Sequence, residues 1–149
     1  MKDGLPGSWS SSDFLLLGTL VALVVAALWW WFAGADRYRR AGLLAGGAAA
    51  LLPLWVNGAV GIVGTEDNPV NLMFVVVSVF GVAGALLVKF RTAGLVRAAV
   101  LAAALQVAVV VLVWLRDGTT VPVAALLLAI PWLLSAALLH RARVSASMP

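Results

Sequence analysis

The chain has 149 residues, 64% of them hydrophobic and 11% charged, with a mean hydropathy of +1.09 and a net charge of +4. Soluble domains carry about half apolar and about a quarter charged residues, so this composition excludes an ordinary water-soluble domain. The absence of cysteine excludes disulfides, thiolate ligands and thiol nucleophiles, and basic residues that flank apolar runs do not make a nucleic-acid face.

The first apolar run covers residues 14–33. At about 1.5 Å per residue it matches a hydrocarbon core about 30 Å thick. Trp9 precedes it and Trp29, Trp30 and Trp31 close it, positions suited to interfacial anchoring. Successive helical residues point about 100° apart, so the three rings cannot all face one partner. Ala33-Gly34-Ala35 has the small-residue form of a signal cleavage site, yet no positive cluster precedes the run. The segment Asp36-Arg37-Tyr38-Arg39-Arg40 after it is a cytoplasmic retention signal, and the run is expected to stay in the chain.

The second run, 41–63, carries Asn57, Pro53 and glycines at positions 42, 46, 58 and 61, with Gly64 directly after it. Glycines let helix backbones approach where lipid supplies no hydrophobic drive, and the third run is the expected partner. That third run, 70–88, holds Ser78, Gly81 and Gly84. The fourth, 98–115, holds Gln106 and ends near the interfacial anchor Trp114. The fifth, 121–139, holds Pro131, Trp132 and Ser135. Pro53 and Pro131 are expected to interrupt their helices, and the indoles of Trp55 and Trp132 need acceptors, for which a proline-freed carbonyl is suited.

Backbone polar groups in hydrocarbon must pair within their own segment, so all five runs are expected to be helices despite their valines. Short connections make neighbours antiparallel. The expected fold is all-α, one polytopic domain over residues 1–149, an up-and-down bundle of five transmembrane helices. With the N-terminus outside and the C-terminus inside, eight of the ten basic residues fall on the inner side, leaving only Lys2 and Arg116 outside.

The densest polar stretch joins the second and third runs: WVNGAVGIVGTEDNPVNLMF, positions 55–74, followed by GVAGALLVKFRTAGLVRAAVLAAALQ at 81–106. These strings resemble a family of small, functionally uncharacterised bacterial inner-membrane proteins that share a Glu-Asp-Asn-Pro turn between two helices. The likeness spans residues 41–143, about two thirds of the chain. It implies a bacterial inner-membrane location and a four-helix unit to which the 14–33 run is an N-terminal addition, and it supplies no chemistry.

Physically, Asn68 suits an N-cap, Pro69 a first helical position, and Asn71 the reciprocal arm of a capping box. Glu66 and Asp67 lie where the helix dipole favours negative charge. The sharper alternative is an outward cation site built from Glu66, Asp67, Asn68 and Asp117. No resident metal is expected. Inside the membrane the polar residues are Asn57, Ser78, Gln106 and Ser135, with no ionisable group at mid-run, which disfavours a pump or proton relay. One histidine, His140, cannot supply bis-His haem ligation, and no catalytic fingerprint is present.

The expected function is a non-catalytic integral membrane component, either a homo-oligomer or an accessory subunit of a membrane complex, without catalytic residues or cofactor. Its expected partners are the lipid bilayer and other membrane subunits or itself, with no nucleic acid. The alternative is a small channel or transporter for a neutral or weakly polar solute, lined by Asn57, Gln106 and Ser78 and guarded by the turn from Glu66 to Asn71.

Overall fold

A computed structural model describes residues 36–64, 67–117 and 123–148, together with the helical positions Leu15, Gly18, Thr19, Ala22 and Val25 of the first run. The chain divides into two compact units, residues 1–34 and 35–149. The anchors Trp9, Trp29, Trp30 and Trp31 lie outside the described residues.

The second unit is all-helical among the described residues. It comprises α1 (Arg37–Val60), α2 (Asn71–Leu87), α3 (Thr92–Asp117), the short α4 (Val123–Leu127) and α5 (Ile130–Ser145). Three stretches are long and apolar enough to cross a membrane: Arg37–Ala59, Thr92–Arg116 and Ala125–Ser145. Asn71–Leu87 is a shorter apolar helix.

Several boundaries differ from the sequence expectation. The second helix begins at Arg37, not at residue 41, because the Asp36 carboxylate accepts the amide N–H groups of Tyr38 and Arg39 at 3.0 and 3.3 Å and so caps the charged turn into the helix. It ends at Val60 because Gly61 takes φ 75° and donates its N–H to the Asn57 carbonyl. The fourth helix begins at Thr92 instead of residue 98. Hydropathy stops at Arg97, but a helix terminus accommodates a long cation whose head reaches the interface. The fifth run is two helices, parted by a turn at residues 128–129, with Pro131 in the first turn of α5. Proline suits that position because its missing N–H would have had no partner there. By contrast α1 runs unbroken through the buried Pro53.

Packing follows the small residues. Gly42 and Gly46 form a trough on α1, where an added Cβ at Gly42 would stand 2.7 Å from Leu139 Cγ and one at Gly46 would stand 3.0 Å from Ser135 Oγ. The principal partner of α1 is therefore α5, not the third run. Gly81 of α2 makes room for the Trp132 ring, and Gly84 sits against Ala98. The core has two layers. One joins Ala49 and Ala50, Ala99, Ala102 and Ala103, and Trp132 with Ala136; the other joins Ile62, Val63, Phe74, Val77, Val109, Val110, Val113 and Ala125. α3 contributes to both through a stripe of period three to four running from Leu95 to Val113. The outward faces stay apolar, as at Leu72, Val76, Val79, Leu86 and Leu87 on α2, an arrangement compatible with a membrane helical protein.

Candidate functional site

The turn between α1 and α2 contains most of the polar residues singled out in the sequence. Gly61 and Gly64 both adopt positive φ, 75° and 70°, and direct the chain back over the end of the bundle. This buries Ile62 and Val63, whose amide N–H groups would be left without partners. Asn71 supplies the acceptor: its Oδ1 takes the N–H of Ile62 at 3.2 Å and that of Val63 at 2.8 Å. The reciprocal capping box expected of Asn71 is therefore not formed, since its carbonyl satisfies two buried donors across the turn. Asn68 does act locally, its Oδ1 accepting the Val70 N–H at 3.0 Å. Three successive bonds of the i to i+3 kind, starting at the Asn68 carbonyl, then lead into α2.

Both amide oxygens of the turn are thus engaged by backbone donors, and Asp67 is exposed. Glu66 lies outside the described residues, as does the side chain of Asp117. Among the described residues no three His, Cys, Asp or Glu side chains cluster as a metal site would require.

The polar residues within the apolar helices are distributed, not assembled. Gln106, fully buried, donates from Nε2 to the Ala125 carbonyl at 3.3 Å and so ties α3 to α4. Ser135 donates to the Gly42 carbonyl at 2.7 Å, joining α5 to α1. Ser78 donates to the Phe74 carbonyl of its own helix at 3.4 Å. Asn57 is half-buried. Its Oδ1, Gln106 Oε1 and Trp132 Nε1 are enclosed without a partner, so the freed-carbonyl acceptor expected for Trp132 is not used. Trp55, expected to be deep, is 42% exposed on α1, and Trp114 is exposed near the end of α3.

At the other end of the bundle lies a feature the sequence reading missed. The α2–α3 turn closes with Lys89 N–H bonded to the Leu86 carbonyl and Phe90 N–H to the Ala85 carbonyl, a Schellman pattern. Glycine normally occupies its left-handed position. Here Lys89 and Phe90 take φ 50° and 54°, a conformation that costs about 1–2 kcal/mol per residue. Arg39, on the first turn of α1, donates from Nη2 to the Phe90 carbonyl at 3.1 Å and fastens this turn to α1. The Gly42–Leu139 contact brings the end of α5 to the same place. Arg37, Arg39, Lys89, Arg91, Arg141 and Arg143 therefore share one end of the unit. No glycine marks the turn, so it leaves no signal in the sequence.

Compared with known proteins, the chain matches no family model, no curated protein and no solved structure.

Proposed function

We propose that the protein is a non-catalytic integral membrane component, multi-pass in a bacterial inner membrane, acting as a self-associating scaffold or an accessory subunit of a membrane complex. It crosses the bilayer five times, N-terminus out and C-terminus in, with α2 as the shortest crossing and residues 14–33 as the first. One observation carries this reading: the bonded intramembrane side chains Gln106, Ser135 and Ser78 are each bound to a backbone carbonyl, while the helices turn apolar faces outward. Such a molecule offers packing surfaces to lipid and to neighbouring subunits, and no arranged chemistry. The resemblance in the Glu-Asp-Asn-Pro turn supports the location.

A second reading, a channel for a neutral solute, draws on the enclosed and unpartnered oxygens of Asn57 and Gln106. Reconstitution of the purified protein in liposomes separates the two. The scaffold reading expects no flux of water, glycerol or urea above protein-free vesicles, together with self-association or a co-isolating subunit in mild detergent. Flux abolished by Asn57→Leu would replace it with the channel.

A further inference from the structure

The basic end of the bundle is more than a diffuse positive surface. Arg39 is half-buried, and its single hydrogen bond to another segment goes to a neutral carbonyl; among the described residues neither it, Lys89 nor Arg91 is in an ion pair. Its Nε is enclosed without a partner. A partly desolvated guanidinium held this way lacks a counter-charge. Asp36, the described acid at this end, already uses its carboxylate to cap Tyr38 and Arg39.

Lys89 and Arg91 stand exposed on either side of Phe90, on a turn kept in a left-handed conformation at two non-glycine residues and fastened by Arg39. Strain of this kind concentrates at ligand clamps. Beside the cations lies a strongly apolar surface: Leu86 and Leu87 are 59% and 82% exposed, and Phe90 is partly so. Charge next to exposed hydrocarbon suits an amphiphile better than a free ion.

We propose that the α2–α3 turn, with Lys89, Arg91 and Arg39, is a binding site for the phosphate of an anionic phospholipid, whose acyl chain runs along Leu86 and Leu87. The inference rests on the membrane reading. Basic pockets between transmembrane helices hold such headgroups by charge, each cation adding to the preference.

The full chain, purified in neutral detergent, is titrated with phosphatidylglycerol or phosphatidylcholine and its lipid adducts are counted by native mass spectrometry. Phosphatidylglycerol is expected to bind at about tenfold lower concentration than phosphatidylcholine. Lys89→Gln with Arg91→Gln, both at exposed positions, should remove most of that difference, whereas Arg116→Gln on α3 should leave it intact. Millimolar inorganic phosphate or glycerophosphate should not displace the lipid. Equal binding of the two lipids, an undiminished preference in the double variant, or displacement by inorganic phosphate overturns the proposal. Recovery of the chain in the soluble fraction without detergent would instead refute the membrane reading, a separate outcome.

Discussion

The two layers of the core solve the same packing problem by different means. In the alanine layer, Ala49, Ala99, Ala102 and Ala103 leave so little between the helices that backbones approach, and the Trp132 ring fills the remaining space against Gly81. In the valine layer, Phe74, Val77, Val109 and Val113 hold the helices apart with branched and aromatic bulk, and Asn71 closes the turn above them. The difference shows how an apolar helical bundle divides its labour. Close contact comes from absent side chains at one level, and bulk plus backbone satisfaction from large and polar ones at the other.

The largest expected effect breaks the valine layer. Phe74 is completely buried, so Phe74→Ala should cost about 3–5 kcal/mol in unfolding free energy, measured by denaturing-detergent titration. Next, Asn71→Leu keeps the number and branching of the side-chain heavy atoms but orphans the N–H groups of Ile62 and Val63, a cost of about 2–4 kcal/mol by the same titration. A loss no larger than that of an exposed substitution such as Leu72→Ala would mean that the turn is wet.

In the alanine layer the sensitivity runs the other way. Ala102→Leu adds bulk at a site with no exposed surface and should destabilise by about 1–3 kcal/mol, with a lowered thermal midpoint followed by tryptophan fluorescence. The smallest effect is a gain: Lys89→Gly relieves one left-handed residue and should stabilise by about 1 kcal/mol in thermal unfolding. No gain would show that the Lys89 side chain contributes to the folded state what its backbone loses.

The helical class and the approximate placement of α1, α2 and α3 are legible in the sequence because apolar runs are direct statements about burial in hydrocarbon. Helix ends were not, because charged residues belong to helices wherever a cap admits them, as Asp36 does for Arg37 to Arg40. Partner choice is not legible: Gly42 and Gly46 announce a close neighbour but not which one, and only Ser135 and Leu139, far along the chain, settle it. Asn71 stands out in the sequence as a polar residue at a helix start, yet the donors its Oδ1 accepts from lie behind a turn whose path depends on two positive-φ glycines. The Arg39–Phe90 bond spans 51 positions and leaves no local mark.

The proposed orientation puts the end of the bundle carrying Arg39, Lys89 and Arg141 in the cytosol and the Asn68 turn outside. Because the chain has no cysteine, single variants Asp67→Cys and Ser147→Cys, both at exposed sites, can be labelled in intact cells with a membrane-impermeant maleimide. That orientation predicts immediate labelling at position 67, and labelling at position 147 only after permeabilisation. The reverse pattern, or equal labelling of both in intact cells, would contradict it.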